Sequence, residues 1–152
     1  MKLWPLEHDG TVGNLPYPLP EVVKPVLATF AKMYETTPYQ PPWIGYLASE
    51  GEVLIGTCAF KSAPKDSIVE IAYFSFPGHE GRGVATRMAQ KLVEISHATD
   101  PSVTVIAQTL PAHGASTRVL QKLGFIWRRS LQHPEDGLVW EWHHEKDKTA
   151  QP

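Results

Sequence analysis

The chain is expected to fold as an α+β layer structure, a mixed central sheet carrying helices on both faces. Three features predict this. The periodic segments run helix, hairpin, strand, helix, strand, helix, closing hairpin. Before the second helix, the stretch Gly78-His79-Glu80-Gly81-Arg82-Gly83 takes a strongly apolar run through a double-glycine turn straight into an amphipathic segment. Finally, 152 residues suffice for one domain that buries roughly two-thirds of its extended-chain surface, and a second domain is not required.

Residues 14–20 hold three prolines and read as a rigid connector. Val22, Val26, Phe30 and Met33 then recur at helical spacing, with Pro25 marking the first turn or a break near it. Residues 43–48 and 53–60 flank Ser49-Glu50-Gly51-Glu52, the pattern of a hairpin, and residues 67–76 form the next strand. Past the glycine turn, Val84, Met88, Leu92 and Ile95 make one apolar stripe, while Ala85 and Ala89 allow close approach to a sheet. The β-branched run 103–110 is a strand, and residues 117–123 are a helix that Gly124 stops. Residues 126–131 and 138–142 are strands around His133-Pro134-Glu135-Asp136-Gly137. This gives one domain over residues 1–144 and a loose tail over 145–152.

The 14 basic and 16 acidic residues leave a net charge of −2 with no block of like charge, which argues against a nucleic-acid surface. A small molecule or a peptide end is the expected partner. Cys58 is the single cysteine, so an internal disulfide and a thiolate metal cage are both excluded. Residues 1–10 lack the apolar core of a signal peptide, and no run approaches the roughly 20 apolar residues of a membrane span. A soluble cytoplasmic protein with no nucleic-acid or membrane partner is expected, its oligomeric state left open.

The glycine turn carries the clearest chemistry. Gly81 and Gly83 let backbone approach an anion closely. The first N–H groups of the helix, at Val84, Ala85 and Thr86, then point at that anion with the positive end of the helix dipole behind them. Arg82 adds a charge-assisted donor. The patterns Gly-x-x-x-x-Gly-Lys-Ser/Thr and Gly-x-Gly-x-x-Gly are both absent, which removes the P-loop and dinucleotide-fold readings of such a phosphate cradle.

Glu80-Gly81-Arg82-Gly83-Val84-Ala85 resembles the acetyl-CoA signature of the GNAT acyltransferase superfamily, Gln/Arg-x-x-Gly-x-Gly/Ala, with Glu80 standing where the family usually has Gln or Arg. Residues 109–125 look like the Asn-x-x-Ser-x-x-x-Leu-x-x-x-Gly-Phe block of the branch that contains ribosomal-protein N-terminal acetyltransferases. There Ser116, Leu120, Gly124 and Phe125 match, and His113 replaces Asn. Glu70-Ile71-Ala72-Tyr73 resembles that branch's Glu-Ile-Gly-Tyr strand. Residues before about Trp43 carry little of the likeness.

The resemblance implies a mostly antiparallel sheet in which strands 67–76 and 103–110 run parallel and splay apart. Acetyl-CoA, as co-substrate, would lie in the opening. Its pantetheine would pair with backbone near Phe74, Ser75 and Phe76, and its diphosphate would sit on residues 81–86. The implied activity is acetyl transfer to a primary amine, of a protein N-terminus or a small molecule, by direct attack. A catalytically silent CoA-binding module is the rival reading, favoured by Leu120 where many members have a tyrosine acid and by His113 in place of Asn.

Acetyl transfer to an amine needs a neutral nucleophile, a donor for the developing oxyanion and a proton for the leaving thiolate. Glu70, an acid on an apolar strand, is the candidate base; the plainer reading turns it to solvent or to a structural ion pair. The resemblance puts Ser116 at the CoA sulfur as acid, and the plainer reading makes it the N-cap of the helix that follows. His113 either contacts the cofactor, titrates near neutrality, or has no duty. Tyr39, Trp43 and Tyr46 either line an amine entrance or pack together. Cys58 reads as a buried hydrophobe. His143 and His144 face opposite ways on a strand and read as surface residues.

Overall fold

The computed structural model describes residues 1–145. Its strands are β1 Lys2–Pro5, β2 Gly45–Glu50, β3 Val53–Phe60, β4 Ile68–Ser75, β5 Thr104–Thr109, β6 Phe125–His133 and β7 Gly137–His144. Its helices are α1 Lys24–Met33, α2 Val84–Thr99 and α3 Ala115–Lys122, with a short 3-10 turn Glu21–Val23 leading into α1. The strands form one sheet in the order β1-β2-β3-β4-β5-β7-β6. Every junction is antiparallel except β4 beside β5, the pair that α2 connects. No helix among the described residues is long and apolar enough to cross a membrane.

Alternation along the strands sorts side chains into two cores. Tyr46, Ala48, Val69 and Ile71 pack with Val84, Met88 and Leu92 of α2, whereas Leu47 and Leu54 face Leu6, Val23 and Phe76 on the other side. Val26, Leu27 and Phe30 of α1 cover this second cluster, so helices do lie on both faces. Full burial of an aliphatic side chain such as Leu92 contributes about 1.5–3 kcal/mol. Gly56 sets how closely α2 approaches: a Cβ there would stand 2.9 Å from both Cε and Sδ of Met88. With no side chain at that position, α2 settles directly on β3 and β4, and its N-terminus is held over the end of β4.

Three local expectations change. The strand β1 comes from a segment that showed no clear period, because Lys2 to Pro5 takes its pairing from β2, at Leu3↔Ala48 and Trp4↔Leu47. In the first helix Val23 is buried and Val22 is 43% exposed, since the 3-10 turn shifts the phase of the stripe. Glu145, placed in the loose tail, donates its N–H to the Gly124 carbonyl and pairs with Arg128. The rest of that tail lies outside the described residues.

Candidate active site

The parallel pair is interrupted. Strands β4 and β5 are in register from Ile68↔Thr104 to Ile71↔Ala107 and then part, while β5 continues its pairing with β7 to Thr109↔Trp140. Residues 72–75 of β4 thus keep only their β3 neighbour. The gap opens into a cleft of about 490 Å³. Tyr73, Phe74 and Ser75 form one wall, Gly81, Gly83 and Val84 to Thr86 form the end, and Ser116, Arg118, Val119 and Lys122 of α3 form the other wall.

At the closed end, Gly81 and Gly83 adopt φ of 76° and 75°, and Gly83 is the N-cap of α2 with no side-chain cap and no acid in the first turn. The backbone donors of that turn therefore face the cleft with nothing of opposite charge on the helix to quench them. A Cβ on either glycine would meet no protein atom within 4 Å. Protein crowding thus does not demand these glycines. The left-handed backbone does, and the space kept clear beside it suits an anion.

Arg82 does not reach this cleft. Its guanidinium turns back to the Gly78 carbonyl at 3.2 Å and to His79 Nδ1 at 2.5 Å. It lines an adjoining hollow, together with the ion pair Arg87–Glu50 at 2.6 Å. Glu80, where the family pattern has Gln or Arg, accepts the Gly78 N–H at 3.0 Å, so both charged side chains brace the turn from within. Phe76 is also displaced from its expected part. Its side chain is buried in the second core, and its N–H is already given to the Ile55 carbonyl at 2.9 Å.

On α3 the expected cap is different. Gly114 is the N-cap; its N–H donates to Thr117 Oγ1 at 2.9 Å, and that hydroxyl donates back to the Gly114 carbonyl at 3.0 Å. Thr117, nearly fully buried, thus performs the capping that the plainer reading gave Ser116. Ser116 sits inside the first turn on the cleft wall. Leu120 is fully buried in the main core, and the cleft side of the helix is Ser116, Val119 and the two cations Arg118 and Lys122. His113 leaves the cleft: its ring stands edge-on to Trp140 at 5.1 Å and lines a separate cavity of about 380 Å³ with Trp127 and Trp142.

Glu70 lies on the sheet face opposite α2, since its neighbours Val69 and Ile71 are in the α2 core. Its carboxylate pairs with Lys61 Nζ at 2.8 Å and its carbonyl accepts the Lys61 N–H. Across the sheet Glu70 aligns with Ile106 and His143, and the next row toward the opening holds Gln108, Glu141 and Arg129. Burial pushes the Glu141 carboxyl up. The bonds from Arg129 at 3.0 Å and His143 at 2.9 Å outweigh that and hold it below the usual carboxylate range. His143 and His144 are accordingly not plain surface residues; one serves Glu141 and the other stacks edge-on to Phe125 at 5.1 Å.

The aromatic cluster is packing. Tyr39 and Tyr46 donate to the carbonyls of Leu6 and Pro42, and Trp43 lies edge-on to Phe60. Burial pushes the Cys58 thiol up to about 12, an inert state. Sequence reasoning missed Tyr73, Arg118 and Lys122 as cleft residues. The cations left a signal, an i,i+4 pair of positive charge on the face of α3 that carries Ala115 and Val119.

These features define a class: an α+β protein whose parallel pair opens beside a glycine-capped helix, shaped for an extended ligand that carries phosphate. The family model of the acetyltransferase (GNAT) domain matches residues 8–126, and the chain belongs to that family of acetyltransferases. No curated protein sequence matches it. Among solved structures, a chimera of the spermidine N-acetyltransferase SpeG from Vibrio cholerae and hSSAT is similar with a TM-score of 0.70 at 14% identity, covering 99% of each chain. RimL, a ribosomal L7/L12 alpha-N-protein acetyltransferase in complex with coenzyme A, gives 0.63 at 16% identity over 78% of this chain and 72% of its own. An N-acetyltransferase from Staphylococcus aureus Mu50 gives 0.55 at 17% identity, and the match spans 65% of each chain. At these identities the likeness is one of fold.

Proposed function

We propose that the protein transfers the acetyl group of acetyl-CoA to a primary amine by direct attack, with no covalent enzyme intermediate. The observation that supports this is the interrupted β4/β5 ladder, which opens the cleft that Ser116 lines; Glu70 lies one residue before the last pair of that ladder, on the sheet face away from α2. Gly81, Gly83 and the amides of Val84, Ala85 and Thr86 would take the diphosphate, helped by Arg118 and Lys122. The free edge of β4 at Phe74 and Ser75 would take the pantetheine as an added strand does. Bound there, acetyl-CoA supplies an activated thioester.

Glu70, anchored by Lys61, accepts a proton from the acceptor on the face away from α2 and α3, directly or through a water. Ser116 donates to the sulfur on the other face. RimL and SpeG, by their names, act on a protein α-amine and on spermidine, and both acceptor classes remain within this reading. A cytoplasmic setting belongs to it as well, supported by a single buried thiol with no second cysteine to oxidise it.

The test is mass spectrometry of the protein with acetyl-CoA and a panel of spermidine, kanamycin, free amino acids and N-terminal peptides. An acetylated product is expected, and Glu70→Gln should lower kcat/KM by on the order of 10²-fold with CoA affinity little changed. CoA binding with no product from any amine would favour the silent binding module instead.

A further inference from the structure

Ser116 is not alone on the cleft. Where β4 leaves β5, the first side chain beyond Ile71 that points to the α2 side of the sheet is Tyr73. Its ring packs against the main core and it lines the cleft on the wall opposite Ser116. Tyr34, Tyr39 and Tyr46 each commit their hydroxyl to a backbone group, at 2.8, 2.5 and 2.6 Å. The Tyr73 hydroxyl makes no hydrogen bond to another described residue, and its partly buried side chain opens on the cleft. A phenol in such surroundings, facing a cavity, is expected to find its partner in what fills the cavity.

Resting on the acetyl-transfer reading, we propose that Tyr73 is a second donor in the cleft, whose O–H binds the CoA sulfur and stabilises the thiolate as the carbon–sulfur bond breaks. The step balances without a further reactant. The amine nitrogen bonds the carbonyl carbon and gives its proton to the base, the electron pair of the carbon–sulfur bond goes to sulfur, and the thiolate gains its proton from water after leaving. Burial pushes the Tyr73 hydroxyl up to about 12, whereas an ordinary thiol ionises near about 8.5. The proton therefore stays on oxygen, and Tyr73 acts as a hydrogen-bond donor rather than as a true acid. This also removes the need for a tyrosine at position 120, which here is a core leucine.

The experiment is a spectrophotometric titration of bound CoA, following thiolate absorbance in the parent, in Tyr73→Phe and in Ser116→Ala. Arg118, Lys122 and Glu80 also line the cleft and act on the thiol in every variant, so the difference between proteins isolates each hydroxyl. A charge-assisted bond should make the bound thiol of the parent ionise about one to two pH units below that of Tyr73→Phe. Turnover of whichever amine the panel finds should fall roughly tenfold to a hundredfold, with the KM for acetyl-CoA little changed. Phenylalanine keeps the ring and its packing, and calorimetric CoA affinity equal to the parent's would confirm an intact cleft. Equal thiol ionisation in parent and Tyr73→Phe, both binding CoA, overturns the assignment and leaves the acetyl-transfer reading standing. If the parent itself does not bind CoA, both fall together.

Discussion

Ser116 and Thr117 are adjacent on one helical turn, yet only Thr117 caps it while Ser116 is proposed to serve the cleft, and substitution separates the two. Thr117 is nearly fully buried and both accepts from and donates to Gly114. Thr117→Ala deletes both bonds and leaves the Gly114 N–H without its partner, a loss of about 1–3 kcal/mol. For a chain of 152 residues, the usual unfolding entropy converts 1 kcal/mol into about 3 °C, so its Tm should drop by about 3–9 °C. Ser116 makes no side-chain hydrogen bond among the described residues, and Ser116→Ala should stay within about 0.5 kcal/mol, or about 2 °C. Acetyl transfer should show the reverse order, falling by on the order of tenfold or more in Ser116→Ala and tracking only the folded fraction in Thr117→Ala. Differential scanning calorimetry with a thioester-cleavage assay reads both. A Ser116→Ala protein as destabilised as Thr117→Ala, or one with undiminished transfer, would refute this division.

Gly83→Glu should still fold, because a Cβ there meets no protein atom within 4 Å and the left-handed backbone costs only about 1–2 kcal/mol. Its CoA affinity by calorimetry should nonetheless fall at least about tenfold, and unchanged affinity would put the diphosphate elsewhere. Glu141 yields a pH prediction. Its folded carboxyl is held below the range of the unfolded chain, so its contribution is fully present above about pH 4.3 and is lost as pH falls through the folded value. Urea denaturation between neutral and acid pH should show Glu141→Gln losing part of the parent's acid sensitivity; parallel curves would show that Arg129 and His143 add nothing.

The glycine turn before α2 was legible because it depends on residue types that backbone geometry demands. Positive φ needs Gly81 and Gly83, a helix must follow at once, and a strand must precede. Side-chain assignments inside that frame were harder. Arg82 lay in the right motif but turned back on Gly78, since a long side chain next to a tight turn can satisfy the turn's own carbonyl. Phe76 followed the strand pattern one residue past the point where the chain dives into the second core. The cap of α3 was misplaced by two residues, because Thr117 three positions after Gly114 can close a box from inside the helix, and serine is the commoner capping residue.

The polar cluster on the sheet face away from α2 was illegible for a different reason. Glu70, Gln108, Glu141, His143 and Arg129 come from four strands and become neighbours only through the order β4-β5-β7-β6, in which β7 inserts between β5 and β6. No local spacing encodes that insertion. A strand pattern such as Trp140-Glu141-Trp142 announces a buried acid between two aromatics, but it does not say which side chains will neutralise the acid. Here the answer is an arginine across the β6 bulge and a histidine two residues on. With Glu70 held by Lys61 and Glu141 by Arg129 and His143, both carboxylates on this face are already partnered. Under the acetyl-transfer proposal, a cationic acceptor would compete with Lys61 before Glu70 could take its proton, and selectivity among amines would then depend on displacing Lys61 as well as on shape.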